Sequence, residues 1–231
     1  MYCMRLKRKS LTTNISFKNP KLVAQIKYQT VMLNTDTVIL EGKMAQAATL
    51  SEAQIKRAVR FCQTRRYVIR DTTILLLSLD TGLRAKEISA LRVGDVYYDE
   101  GGVRTQFTLT AAQTKVARTR TVFVNKALAQ QLSTYRAWRN TDDAAAALFP
   151  SQKGGHFSAN TMCQLFLNIY KQCGLSDASS HSGRRTFITR LANKGVGVRV
   201  LAALAGHSSI QTTQRYIDVN DAQLANAVEL L

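Results

Sequence analysis

The sequence predicts a mainly α-helical fold with a small three-stranded antiparallel sheet, an α+β class. Three observations predict it. From residue 49 onward most segments space their apolar residues as helices do and carry helix start and stop signals. Between residues 96 and 124 the period changes to alternation, then changes back. Apolar residues make up 45% of the 231-residue chain, enough for a real core. Apolar runs such as Ile74–Leu77, Ala144–Phe149 and Val200–Ala205 are far short of the roughly 20 residues that span a bilayer.

Residues 1 to about 45 lack a sustained helical period. They carry Arg5, Lys7, Arg8, Lys9, Lys18, Lys21 and Lys27. Residues 1–47 therefore read as a basic N-terminal extension, either a flexible arm or a DNA-contacting tail. Ile15–Phe17 and Thr37–Leu40 are its expected short strands. The folded domain is expected over residues 48–231. Thr49-Leu50-Ser51-Glu52 predicts a capping box, in which the hydroxyl and the carboxylate satisfy opposite orphan amides. The helix it starts carries Ile55, Val59 and Phe61 toward the core. A second helix is expected over Val68–Asp80, stopped by Gly82 in the left-handed region. A third covers Ala85–Leu91.

Val96–Tyr98, Val103–Leu109 and Thr119–Val124 alternate and read as the three strands. Asp99-Glu100-Gly101-Gly102 forms the first turn. Ala112–Arg118 forms the second, a basic tip holding Lys115. Asn125 then caps a helix to about Arg139 that includes Leu128, Leu132, Tyr135 and Trp138. Ala144–Ala147 and Leu148-Phe149-Pro150 form a loop. Ser158 caps Ala159–Cys173, which Gly174 stops. Helices follow over Ser182–Asn193 and Val198–Ala205, the latter closed by Gly206. A helix in Gly206–Tyr216 and a last one over Asp221–Leu231 complete the order.

The formal charge is +17 and the sequence pI about 10.1, which favours a polyanionic partner, with nucleic acid first. An anionic membrane surface would need a basic amphipathic helix or an apolar anchor, and the sequence offers neither. No apolar leader follows the basic N-terminus, so a cytosolic protein is expected. Cys3, Cys62, Cys163 and Cys173 lack C-x-x-C or zinc-site spacing and read as ordinary thiols. No metal site is expected.

Three stretches concentrate chemistry: TGLRAKEISAL from Thr81, HSGRRTF from His181 and GHSSIQTTQRY from Gly206. Together they offer two Arg, two His and a Tyr to one phosphate diester. Breaking such a bond needs a nucleophile, fixed cations for the charged oxygens and a proton for the leaving oxygen. Tyr216 is the candidate nucleophile, though a packing Tyr is the plain alternative. Arg84 and Arg184 suit the phosphate because a guanidinium matches its oxygens in a way Lys cannot. A solvated Arg is their alternative. His181 lies three residues before Arg184, on the same face of a helix N-terminus. His207 follows Gly206 in a tight turn. Lys115 is placed to deliver the proton, or to make an ordinary phosphate contact. Glu87, one turn after Arg84, either orients it or is a surface carboxylate. His156, beside Gly154-Gly155, reads as a loop residue.

The ordered set Arg84, Lys115, His181-x-x-Arg184, His207 and Tyr216 resembles the tyrosine recombinases, the phage-integrase-type site-specific recombinases. TGLRAKEISAL looks like the family's first arginine box and GHSSIQTTQRY like its closing signature. The resemblance covers about Thr49 to the end. It implies a tyrosine-recombinase catalytic-domain fold and a DNA recombinase or integrase of a prophage, mobile element or inversion switch. Tyr216 would form a 3′-phosphotyrosyl link, with Arg84, Arg184, His181 and His207 binding the phosphate and managing protons. Lys115 would be the general acid and Glu87 would support Arg84. Arg118, Arg120, Arg185 and Arg215 are expected to contact double-stranded DNA. The family needs no metal or nucleotide cofactor, since the covalent link conserves the bond energy. It also implies a tetramer on DNA linked through the C-terminal helix, with Leu224, Ala227, Val228 and Leu231 as its stripe, unless that stripe packs in cis. Monomers in free solution and accessory DNA-bending proteins fit the same picture, at the nucleoid.

Two departures stand out. Gly183 and Arg185 flank Arg184 where many relatives carry Leu and His. The front segment is too short to be the helical core-binding domain that closes the other half of the family's DNA clamp, although short members such as the fimbrial invertases lack it as well. Three other readings remain at this stage: a type IB topoisomerase, a non-catalytic or partner-dependent truncated integrase that binds DNA, and a basic RNA- or membrane-surface protein.

Overall fold

Ile74, Leu75, Leu77 and Leu79 decide where the helices gather. All four are almost fully buried, because apolar residues this dense cover more than one stripe of a helix and must be enclosed on several sides. The computed structural model describes the backbone of residues 26–32 and 38–44, and residues 47–114, 118–152, 154–217, 224 and 228–229 with their side chains. It divides into two units, residues 1–46 and residues 47–231. In the first, β1 (Ile26–Met32) pairs antiparallel with β2 (Val38–Met44), with Ile26 opposite Met44 and Met32 opposite Val38. The expected strand at Thr37–Leu40 overlaps the start of β2. Ile15–Phe17 lies outside the described residues.

In the second unit the order is α1 (Glu52–Cys62), α2 (Val68–Thr81), α3 (Ala85–Ser89), α4 (Val93–Val96), β3 (Gln106–Leu109), β4 (Arg120–Phe123), α5 (Lys126–Arg139), α6 (Ala159–Gln172), α7 (Ser182–Asn193), α8 (Val198–Ala205) and α9 (Ile210–Gln214). Helix α2 packs against α1, α5 and α7, while α6 covers α1 and α3. Phe166, Ile169 and Tyr170 of α6 join Leu128, Leu132 and Tyr135 of α5 in the main core. A smaller apolar cluster, Ile188, Leu201 and Ala205, joins α7 to α8, with Tyr216 and Ile217 packed on its edge.

Most helix ends follow the expected signals. The Asn125 and Ser158 side chains accept the Leu128 and Thr161 amides and start α5 and α6. Gly82 and Gly206 end α2 and α8 at φ of +64° and +63°. The first capping box is displaced. Ser51 and Gln54 form it, at 3.3 and 2.8 Å, instead of Thr49 and Glu52. The residues before it are already engaged by α7: the Thr49 hydroxyl accepts from Arg185 Nε, the Leu50 amide donates to Thr186 Oγ1, and Glu52 pairs with Arg190.

The sheet also differs from expectation. Among the described residues it has two strands, β3 and β4, with Gln106 opposite Phe123 and Leu109 opposite Arg120. The expected first strand, Val96–Tyr98, contributes a single bridge between Tyr97 and Val103. Val93–Val96 is drawn into a helical turn because the Asp95 carboxylate accepts the Arg92 amide and also the Gln113 side-chain amide. Tyr97 then commits its side chain to the core, donating from its hydroxyl to Leu132 O. Alternation alone cannot distinguish that anchoring from a strand.

Gly183 has a packing reason. A Cβ there would lie 2.2 Å from Ser78 Oγ and 3.3 Å from the Ser78 carbonyl carbon, so α7 and α2 meet at this glycine. Gly183→Ala should therefore destabilise the fold by about 1–3 kcal/mol of overpacking, partly offset by about 1 kcal/mol of helix propensity. Urea unfolding measures it as a lower midpoint. A raised midpoint would show that the two helices separate without cost.

Candidate active site

The site is built on two left-handed glycines. Gly82 turns the chain out of α2 and leaves its carbonyl pointing at Arg184, whose Nη1 donates to it at 2.7 Å. A Cβ at Gly82 would come within 2.6 Å of the Phe187 ring, so the turn tolerates no side chain. After it the backbone runs extended through Arg84, which opens α3. Glu87 sits three residues on and reaches back, accepting the Arg84 amide at 2.9 Å and Arg84 Nη1 at 2.7 Å. This carboxylate is 1% exposed. It is therefore a buried partner of Arg84, and the surface alternative is excluded.

Gly206 does the same for α8. Its amide bonds Ala203 O and the His207 amide bonds Ala202 O, the paired closure that a left-handed glycine permits. That leaves the carbonyl of Ala205, the last helical residue, without a partner inside its helix. Two guanidiniums fill the gap: Arg120 Nη1 and Arg184 Nη2 both donate to Ala205 O, each at 2.5 Å. The negative end of the helix dipole favours cations there. Arg120 Nη2 lies 3.7 Å from the second Glu87 oxygen. Arg84, Arg120 and Arg184 thus surround one carboxylate and one carbonyl.

The electrostatics follow. Burial, then Arg84 and Arg120, pull the Arg184 guanidinium below its ordinary value, while Glu87 and Tyr216 oppose that. Burial and Arg84 lower Arg120 as well, against Glu87. Both stay cationic at neutral pH. His207 shares a hydrogen bond of 2.8 Å between Nδ1 and Thr213 Oγ1, and its ring stacks on Tyr216 with centroids 5.7 Å apart and planes at 17°. Tyr216 is held further by Thr189, which donates to its carbonyl at 3.1 Å, and by Arg185, whose guanidinium lies 5.6 Å from the ring centre.

A cleft of about 540 Å³ opens over these groups. Arg84, Glu87, Arg118, Arg120 and His207 line it, and Phe123 and Val200 form an apolar rim. Arg184 lies beneath it at 2% exposure. Arg84, Glu87, Arg120 and Arg184 thus gather at one carboxylate and one carbonyl, while His207 lines the same cleft and stacks on Tyr216. His181 is exposed at the start of α7, three residues from Arg184. Arg215 is exposed beside Tyr216, and Arg118 is exposed on the cleft. Arg120, expected among the DNA contacts, is largely buried and lines the cleft. Lys115 lies outside the described residues. The C-terminal stripe is described only at Leu224 and Val228, both exposed. His156 is exposed in a loop. No His, Cys, Asp and Glu cluster suited to a metal ion occurs among the described residues.

Sequence reasoning missed Thr213 and the Ala205 carbonyl. Thr213 is fully buried and tethers His207 from three residues before Tyr216. Its signal was present, as a hydroxyl one helical turn from the Tyr. A backbone carbonyl has no sequence signal.

Burial first, then Arg184, Arg84 and Arg120, lower His207 from an ordinary 6.5 to about 4. The ring is neutral at neutral pH. Between those two values the unfolded chain holds more protons than the folded one, so this residue costs nothing above about pH 6.5 and weakens the fold progressively toward pH 4. His207→Gln should flatten the fall in stability between pH 7 and pH 5, read by urea unfolding at both. Identical slopes in the two proteins would show that the imidazole protonates freely in the folded state.

Residues 48–223 match the phage integrase family. Tyrosine recombinase XerA of Pyrococcus furiosus is 28% identical over 183 residues, covering 78% of this chain and 60% of its own length. The chain thus spans about 60% of the length of such curated relatives. The fold is shared with the catalytic domain of bacteriophage HP1 integrase (TM-score 0.57, 24% identity, 80% of this chain and 95% of that one). It is also shared with Tn1549 transposon integrase, solved in complex with circular intermediate DNA (TM-score 0.61, 23% identity, 80% and 67%). With the match running through all three chemical stretches, this chain belongs to the phage integrase family.

Proposed function

We propose that the chain is a site-specific DNA recombinase that cuts and rejoins strands through a 3′-phosphotyrosyl intermediate. The observation that carries this reading is the unbalanced charge of the site: Arg84, Arg120 and Arg184 stand around the single carboxylate of Glu87, beside a Tyr and a neutral His. Two positive charges remain uncompensated. A phosphate diester supplies negative charge and gains more on its oxygens in the transition state, which is where preorganised cations act most strongly.

The step balances without an external reactant. The Tyr216 oxygen forms a bond to phosphorus as the bond from phosphorus to the 5′ oxygen breaks. The phenolic proton leaves to a base, for which neutral His207 and His181 are the candidates. The departing 5′ oxygen takes a proton from Lys115. Arg84, held by Glu87, and Arg184, held by two carbonyls, receive the phosphate oxygens. The reverse attack by a 5′ hydroxyl reseals a strand. The phosphotyrosyl bond keeps the energy of the broken diester, so the cycle needs no nucleotide or metal cofactor.

Double-stranded DNA is the proposed partner. The charge of +17 supports it, as do DNA complexes among the structural neighbours. Arg118, Arg185 and Arg215 are proposed to hold the backbone. Residues 1–47 are proposed as the basic extension and 48–231 as the catalytic domain. Assembly into tetramers through the C-terminal helix, with help from DNA-bending proteins, is proposed from the family, and such work would take place in the cytoplasm at the nucleoid.

Covalent trapping tests the reading. The protein is incubated with nicked duplex from its own genomic flanks, boiled in detergent and examined for a shifted band. Wild type should shift, and Tyr216→Phe should bind DNA without shifting. A shift in the Phe variant would assign the nucleophile elsewhere. Binding without any shift in wild type would favour a non-catalytic DNA-binding protein. Arg184→Ala should lose on the order of 10²-fold in cleavage rate and much less in binding. Equal losses would make Arg184 a tether. Binding should also weaken steeply with salt, as Lys and Arg displace counterions.

A further inference from the structure

We infer that Arg120 is a positioning residue for the strand-cleavage step, fixing where Arg184 and His207 stand through the Ala205 carbonyl and the Gly206 turn. The inference rests on the recombinase reading above. Four observations carry it. Arg120 Nη1 and Arg184 Nη2 share one acceptor, Ala205 O, so neither guanidinium can shift without disturbing the other's bond. The stem of Arg120 occupies the space a side chain at Gly206 would need, since a Cβ there would lie 2.4 Å from Arg120 Cδ. The turn leading directly into His207 is thus pressed on this one side chain. Arg120 also stands 3.7 Å from the Glu87 oxygen that accepts the Arg84 amide, which links it to the other arginine of the site. Finally, Arg120 Nε and Nη2 are buried without a hydrogen-bond partner.

That last point separates positioning from plain structure. A buried cation with unused donors is a poor way to fill space. Where a buried charge serves packing alone, an apolar side chain of similar volume is usually tolerated or better. Here the charge joins β4, the end of α8 and α3 at one point. Its planar fork donates to Ala205 O while facing the Glu87 carboxylate at 3.7 Å, a geometry the single ammonium of Lys cannot reproduce equally.

The test compares Arg120→Met with Arg120→Lys. Thermal melting reports folding, and titration of the nicked genomic duplex reports binding. Single-turnover formation of the covalent complex at saturating DNA reports the chemical step. Both variants should fold and bind within about threefold of wild type. Met should cleave on the order of 10²-fold more slowly, the scale of a catalytic group misplaced by about 1 Å, and Lys should recover part of that loss. Met cleaving as fast as wild type, or Lys no faster than Met, would overturn the inference. So would equal losses in binding and cleavage, or the unfolding of both variants, which would leave Arg120 a tether or a structural residue. Failure of wild type to form any covalent product would overturn the recombinase reading on which the inference rests.

Discussion

One backbone carbonyl, that of Ala205, holds the site together. It belongs to the last residue of α8, where the helical ladder has run out and the glycine closure has already satisfied Ala202 and Ala203. Arg184 arrives from α7 and Arg120 from β4, and both donate to it. Three separate elements thereby meet at one atom. The cations cannot repel one another outward, because each is also tied elsewhere: Arg184 to Gly82 O and Arg120 to Glu87.

Glu87 is the complement of that carbonyl. A buried carboxylate is costly unless paired, and this one accepts from the backbone and side chain of Arg84 while facing Arg120. It lets three guanidiniums be buried near one another while leaving part of their charge unanswered. Burial first, and then the same field, keeps His207 neutral at the edge of the group. A neutral imidazole beside Tyr216 can accept a proton, which an imidazolium cannot.

Much of this could be read from residues alone. Gly82 and Gly206 announced their helix ends, and Asn125 and Ser158 their starts, because those roles depend on local backbone and side-chain chemistry. The membership of the site was legible because Arg84, Arg184, His207 and Tyr216 fall in three dense stretches. What escaped was whatever depends on a distant partner. Thr49 forms no cap because Arg185 takes its hydroxyl, 136 residues away. Tyr97 is no strand residue because its hydroxyl reaches Leu132, 35 residues on. Arg120 reads as a DNA contact, and its bond to Ala205 O, 85 residues on, has no local signal. Gly183 reads as a weak helix residue until Ser78 is seen against it. Each of these features rests on a long-range contact that no local pattern encodes.

The shared carbonyl also imposes an order on biosynthesis. Arg120 and Arg184 leave the ribosome 85 and 21 residues before Ala205 does, and neither finds this acceptor until that residue has been made and α8 has closed. A nascent chain, or one cut short before this point, holds its arginines without the carbonyl that aligns them and without the tyrosine that follows. The site is therefore completed in one step, once residues 205–216 have been made. A partly made protein carries the charge without the assembled site.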